Sequence, residues 1–389
     1  MPVINRIAEF HDEIVEWRQD FHRHPELMFD VQRTAARVTE LLQGFGVDEV
    51  VTGLGRTGVV GVIRGRTDTG GKVIGLRADM DALPITERTG KPYTSENAGK
   101  MHACGHDGHT SMLLGAAKYL AETRNFDGTA VVIFQPAEEG GGGGRVMVED
   151  GLMERFGIKE VYGLHNFPGQ AAGTFSIRAG GIMAATDVFR IEIEGVGGHA
   201  AQPHKTVDPI VVAAQLIVAL QTFVSRNTDP VSSAVLSVTV FNAGTTDNVI
   251  PRTASITGTV RTLDEKVRDA MQARLERFVP RFCEDFGARA SVDYWRGYPV
   301  TVNAETETAF AADVAAEIVG EDKVERNVNP SLGGEDFAYM LQARPGAYIL
   351  LGQGDSAGLH EDGYDFNDDI IPVGVSYWVR LVERAMPIG

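Results

Sequence analysis

The sequence predicts an α/β fold built on a mixed sheet and interrupted by an inserted ferredoxin-like α+β domain. Three observations carry this reading. Apolar strand-like runs alternate with helical spacing through residue 185. From 188 to 296 the strands alternate in period two, in the order β-α-β-β-α-β. After 297 the α/β character resumes, so the middle segment interrupts the first domain. The expected boundaries are 1–185 and 298–389 for a catalytic domain and 186–297 for an inserted lid, within a length of 389 residues that accommodates two domains.

Each element follows from a local pattern. Residues 4–24 place Ile4, Ile7, Phe10, Ile14, Trp17 and Phe21 at helical spacing. A second helix covers 30–45 and stops at Gly44 and Gly46. VVGVIRG (59–65) and KVIGLRADM (72–80) read as strands, and 110–123 as a helix. GTAVVIFQPAEE (128–139) is a strand ending at two carboxylates, and VYGLHN (161–166) is one ending at His165. Chemistry at strand ends is the usual arrangement in such sheets. The inserted segment opens with VFRIEIEG (188–195) and a helix at 209–226. Strands AVLSVTVFNAG (234–244) and TASITGTVRTL (253–263), a helix at 265–286 and the strand RASVDYWR (289–296) complete it. Segments 305–319, 337–341 and AYILLG (347–352) then restore the first domain.

Bulk properties exclude some functions. A net charge of −17 argues against nucleic acid or an anionic membrane as partner, since both need a basic surface. Two cysteines exclude a disulfide scaffold, and Cys283 reads as a buried helical thiol. A chain that uses Cys104 as a thiolate needs a reducing compartment. The first residues lack the apolar core of a signal peptide, and no stretch is expected to reach the roughly 18 apolar residues of a membrane span. The expected location is the cytoplasm.

The chemistry concentrates in MHACGHDGH (101–109) and QPAEEG (135–140). A thiol and imidazoles beside a carboxylate pair are what a divalent metal site with a built-in base requires. The candidate ligands are Cys104, His106, Glu139, His165 and His360. Such a set exceeds what one open catalytic zinc uses and suits two ions, with Cys104 as the expected bridge. Glu139 is expected to coordinate, while Glu138 takes a proton from water and hands it to the leaving group. The glycines at 140–144 allow close backbone approach to the site. Asp79, at a strand end, would orient a ligand imidazole. His102 and His109 read as structural or orienting, and His22 and His24 as surface or packing residues. His199, in the glycine-rich loop GVGGHAAQPH (195–204), could donate to a developing oxyanion. Asn248 and Arg252, in DNVIPR (247–252), could bind a carboxylate or carbonyl.

Together these residues resemble the M20 metallopeptidase family. The likeness is to its branch of hippurate hydrolases, N-acyl-amino-acid amidohydrolases and plant auxin-conjugate hydrolases. The matching pieces run nearly the whole chain: HRHPEL (22–27), GLRADMDALP (75–84), MHACGHDGHTSMLLGAA (101–117), FQPAEEG (134–140), LHNFPG (164–169), GGHAAQPH (197–204), NVIP (248–251), GGEDFAYM (333–340) and GLHEDGYDFNDDIIPVG (358–374). The resemblance implies a dinuclear-metal catalytic domain with an inserted lid. It assigns metal binding to Cys104, His106, Glu139, His165 and His360, and catalysis to Glu138. It makes His199 a substrate contact, reaching the partner's site in a dimer.

The expected function is metal-dependent hydrolysis of N-acyl amino acids to a carboxylic acid and a free amino acid. Two divalent ions per subunit are expected, zinc first, with manganese, cobalt or nickel as alternatives. A homodimer or homotetramer would form through the inserted domain. A dipeptidase or aminopeptidase is the rival reading. It would need an acidic anchor for a free amino terminus, and no residue stands out for that role. A non-catalytic binding protein of the same fold would be expected to lack Glu138 or a ligand, and all six positions are filled.

Overall fold

The computed structural model describes residues 4–389, which divide into two compact units. The first comprises residues 4–180, Val302–Asn329 and Asp336–Gly389, and the second Gly181–Thr301 and Pro330–Glu335. The second unit therefore recruits a short segment that the sequence places in the first domain. The reason is backbone pairing: Ser331 N donates to Ile182 O and Ala184 N to Gly333 O, each at 2.9 Å.

Among the described residues the first unit's sheet has eight strands, in the order Glu49–Leu54, Gly58–Arg64, Thr129–Gln135, Val73–Asp79, Glu160–Pro168, Gly346–Gly354, Phe175–Ser176 and Val324–Glu325. The four strands from Thr129–Gln135 to Gly346–Gly354 are parallel neighbours. They are buried along most of their length because both sheet faces are covered, with polar residues gathered towards their carboxyl ends. The register sets Asp79 beside Gln135 and Leu350 beside His165. The carboxyl ends of these strands thus lie along one edge, where α/β sheets carry their sites. Glu49–Leu54 is a half-exposed edge strand with no clean alternation, and the sequence reading does not assign it.

Helix His106–Thr123 is the core element of this unit. It begins before residue 110, where the sequence reading starts it, because Gly105 at φ +95° turns the chain directly into the helix. A side chain at Gly105 would also strike Asn166. The N-terminal segment is two helices, Asn5–Glu9 and His11–Arg23, divided at Phe10. The C-terminal helix Ile371–Ala385 is absent from the sequence reading, although Ile371, Val375, Trp378 and Val382 recur at helical spacing with Pro372 in its first turn. These residues pack with Ile14, Phe21, Met112 and Leu120 in one core. Burying each such side chain contributes about 1.5–3 kcal/mol.

The second unit's strands lie in the order Ala234–Ala243, Thr253–Thr262, Ala185–Glu194 and Arg289–Arg296, all antiparallel. With helices Pro209–Asn227 and Glu265–Asp285 this is the ferredoxin-like arrangement. Phe189, Ile191 and Ile193 alternate into the core, where they join Leu216, Leu220 and Leu275. Asp208 and Asp264 cap the two helices, accepting from Ile210 N at 2.9 Å and Lys266 N at 2.6 Å. A buried pair, Arg268 Nη2 on Asp187 Oδ1 at 2.6 Å, is completed by the Tyr294 hydroxyl. Helix Pro209–Asn227 is long and apolar enough by composition to cross a membrane, contrary to the sequence expectation. Here it buries Val212, Ala213, Leu216, Leu220 and Phe223 in its own unit's core.

Candidate metal centre

The strand ends of the first unit deliver the polar residues to one place. Val73–Asp79 runs on into Asp81, and Thr129–Gln135 runs through Pro136 and Ala137 to Glu138 and Glu139. Ala137 is a buried non-glycine residue at φ +56°, a conformation held only where the surroundings fix it. The fixing group is Asp81. Its Oδ1 accepts from Glu138 N at 2.9 Å and its Oδ2 from Glu139 N at 3.1 Å. One carboxylate therefore sets both peptide groups of the glutamate pair.

The same residue orients His106. The Asp81 carbonyl accepts from His106 Nδ1 at 2.7 Å, which leaves Nε2 as the ring's lone-pair nitrogen. That Nε2 is buried without a hydrogen-bond partner, as is Glu139 Oε1. The two atoms lie 3.9 Å apart. His165 is set in the same way: its Nδ1 donates to Asn166 O at 2.6 Å, so Nε2 faces Cys104 Sγ at 3.5 Å. His360, at φ +64°, is tied through its backbone N to Ala103 O at 2.7 Å, and its Nε2 lies 3.2 Å from Glu139 Oε1.

The ligand atoms of Cys104, His106 and His165 fall within 4.8 Å of one another, and so do those of Cys104, Glu139 and His360. The thiol belongs to both groups. His106, Glu138 and Glu139 form a further such group. Thiolate, imidazole and carboxylate donors with orphaned buried atoms facing inward fit divalent ions.

The electrostatics fit as well. Burial, and then the carboxylates of Glu139, Glu138 and Asp79, push the Cys104 thiol well above its ordinary range. A cation at sulfur reverses that shift. Burial disfavours charge on His106, but Asp79, Asp81 and Glu139 outweigh it and raise the ring to about 10, so a proton occupies Nε2 until a cation takes its place and frees the lone pair. His165, buried beside His109 and His106, is pushed well down and stays neutral, the form that ligates.

Asp79 sits under this cluster with a different imidazole from the one expected. Its Oδ1 accepts from His109 Nδ1 at 2.7 Å, and its Oδ2 accepts from Arg77 Nη1 at 2.8 Å and lies 3.6 Å from His106 Nε2. Burial would raise this carboxyl, but His106, Arg77 and His109 hold it well below its usual range. Arg77 also donates to Gln135 Oε1 at 2.9 Å and Asp336 Oδ1 at 3.0 Å. The sequence reading passed over Asp81, Arg77 and the pairing of His109. The second aspartate of RADMDALP is the one signal that pointed to Asp81.

In the second unit, His199 pairs with Val249 across two short strands, and Ala200 N donates to Asn248 O at 3.0 Å. The structure thus brings His199 and Asn248 together on one exposed rim. His199 Nδ1 accepts from Ala201 N at 3.1 Å, so the ring proton resides on Nε2. Arg252 donates from Nε and Nη2 to Glu194 Oε1, at 2.9 and 2.5 Å, so its fork already holds a carboxylate of its own unit.

The sequence profile of peptidase family M20/M25/M40 matches residues 75–384. A hippurate hydrolase of Campylobacter jejuni is 43% identical over 382 residues, covering 98% of each chain. An N-acetyl-L-cysteine deacetylase of Bacillus subtilis is 42% identical and covers 96% of this chain and 88% of its own. The crystal structure of a dinuclear metal binding peptidase of the M20 family from Bacillus subtilis superposes with a TM-score of 0.86 at 34% identity, over 97% of this chain and 99% of that one.

Proposed function

Because the chain belongs to peptidase family M20/M25/M40, we propose that it is a two-metal amidohydrolase that splits N-acyl amino acids into a carboxylic acid and a free amino acid. The hippurate hydrolase and the deacetylase, similar along almost their whole length, support that substrate class. The observation that carries the mechanism is the glutamate pair on Asp81. One carboxylate, Glu139, lies near His106 and His360, and the next residue, Glu138, has its backbone fixed beside it and its side chain in the same cluster.

Cys104, His106, Glu139, His165 and His360 would hold two divalent ions, Cys104 lying within reach of both His106 with His165 and Glu139 with His360. When bound, such ions would draw on the carbonyl oxygen and lower the pKa of water towards ~7. Glu138 accepts the proton released as water adds to the amide carbon, then passes it to the departing nitrogen. His199 presents its Nε2–H to the developing oxyanion. Asn248 and Arg252 receive the substrate carboxylate, which for Arg252 requires exchange with Glu194.

Zinc is the favoured ion because a thiolate with imidazoles suits it, with manganese, cobalt or nickel as alternatives. A thiolate ligand also favours the cytoplasm. Assembly as a dimer or tetramer through the second unit is supported by strand Ala234–Ala243. It ends its sheet and carries no charged residue to discourage pairing.

The test is a screen of metal-reconstituted protein on N-benzoylglycine, N-acetyl amino acids and dipeptides with free amino termini. Turnover of the acylated substrates, lost with chelator and restored by zinc, manganese or cobalt, is expected. Preference for the free dipeptides would overturn the substrate reading.

A further inference from the structure

The first unit buries a charged cluster that the proposed mechanism does not use. Arg18, on helix His11–Arg23, is a fully buried cation. Its Nε and Nη2 donate to Asp368 Oδ1 and Oδ2, both at 2.7 Å. Its Nη1 points between Asp107 Oδ2 at 3.7 Å and Asp365 Oδ1 at 3.8 Å. The guanidinium stacks 4.4 Å from the centre of the Tyr93 ring, and Tyr93 donates its hydroxyl to Asp365 Oδ2 at 3.0 Å. Asp107 also accepts from His22 Nδ1 at 2.8 Å.

The sequence positions of these partners give the cluster its meaning. Asp107 follows His106 in the first turn of helix His106–Thr123. Asp365 and Asp368 lie on the segment that follows His360. Arg18 therefore joins the helix carrying one candidate ligand to the loop carrying another. The two sides are not held equally. The helix start is buried and has its own anchors in His22 and the Asp81 carbonyl. His360 itself is half exposed, at positive φ, and tied through its backbone N to Ala103 O, while the segment after it is held by Arg88 N on Asp362 O at 2.8 Å, Lys91 on Asp365 at 2.8 Å, the Tyr93 hydroxyl on Asp365, Asn166 on the buried Tyr364 hydroxyl at 2.7 Å, and Arg18.

We infer that Arg18 is a positioning residue for the metal centre, holding the His360 loop in register with the His106 helix so that the second ion finds a preformed site. The inference rests on the two-ion reading above. Arginine is needed because one edge of its guanidinium grips Asp368 with two bonds while Nη1 faces Asp107 and Asp365 at a fixed angle, which the point charge of lysine does not do. Outer residues that orient ligands typically change metal affinity by about 10–100-fold when lost.

The experiment is cobalt titration of metal-free protein, followed by calorimetry and by the cobalt–thiolate absorption of Cys104. Wild-type protein should bind two ions. Fewer than two, or no thiolate band, would reject the two-ion reading itself. Given two ions in wild type, Arg18→Met and Arg18→Lys should weaken one site by about 10–100-fold. The other site and the thiolate band should persist, even though loss of the buried cation lowers the melting temperature of the metal-free protein. Two unchanged isotherms overturn the inference. So does an equal loss at both sites, which would make Arg18 a general scaffold residue. If Arg18→Met does not fold, Asp368→Asn removes the loop arm of the fork and leaves Asp107 with His22. It must give the same one-site loss, and unchanged binding there overturns the inference equally.

Discussion

The two units treat polar chemistry in opposite ways. In the first, Asp79, Asp81, His106, Asp107 and His109 are each at most 2% exposed, and each is held by a residue distant in sequence. In the second, the hydrophobic core around Phe189 and Leu216 stands apart from the buried Arg268–Asp187 pair, while His199 and Asn248 are exposed and the Arg252 side chain reaches solvent. A buried polar group left without its partner costs about 1–3 kcal/mol, so the first unit's site is bound up with its stability and its metals. An exposed loop residue carries no such penalty. Changes in the first unit should therefore spread to metal content or stability, and changes on the second unit's rim should stay kinetic.

The sharpest way to break this contrast is the glutamate pair, where one residue should behave as an exception inside the buried unit. Glu138→Gln should lower kcat by about 10²–10⁴, the range for losing a general acid–base, while metal content stays near wild type. Glu139→Gln should instead lower metal occupancy, measured by elemental analysis. If the two variants exchange behaviour, the roles of the pair are reversed.

On the exposed side, His199→Ala should reduce kcat and kcat/KM together by about 10²–10³, as for one lost oxyanion donor. Its melting temperature and metal content should match wild type. A shift in KM alone would show uniform binding of substrate and transition state.

The smallest effect is a slope of stability with pH. Burial disfavours charge on His22, but Asp107 and Glu87 outweigh it and raise the ring from 6.5 to about 9. Between those values the folded chain keeps a proton that the unfolded chain releases. The contribution is thus complete below pH 6.5 and is lost as pH rises through about 9. It is on the order of 1–3 kcal/mol, and His22→Gln should flatten a denaturant-midpoint series over that window. An unchanged slope in the variant would mean that another group supplies it.

Legibility from sequence divides along the same line. The second unit's strands and helices are readable one by one, because period-two alternation and Asp caps are local signals. The strand Arg289–Arg296 coincides with its reading. Strand order in the first unit is set by long-range pairing and leaves no local trace. Strand Glu49–Leu54 and the segment Pro330–Glu335 show the same difficulty. Helix Ile371–Ala385 is different, since its apolar spacing is a local signal present in the sequence. At the site, residue types and strand ends were enough to single out the residues the structure gathers around Cys104. They could not distinguish Asp79 from Asp81, because what matters is which carboxylate meets which peptide N–H. Nor could they show that His22 is buried on Asp107, since a histidine near a helix end reads locally as surface or packing.

Asp81 also separates the placing of residues 138 and 139 from their chemistry. By gripping the peptide groups of residues 138 and 139, it places their backbone whatever side chains they carry. The backbone position of residue 138 is thereby independent of the side chain it carries, so on the proposed mechanism a change at 138 removes the proton transfer and leaves the backbone of the pair in place. Asp81 itself has no such freedom, because its loss would release both glutamates and His106 at once.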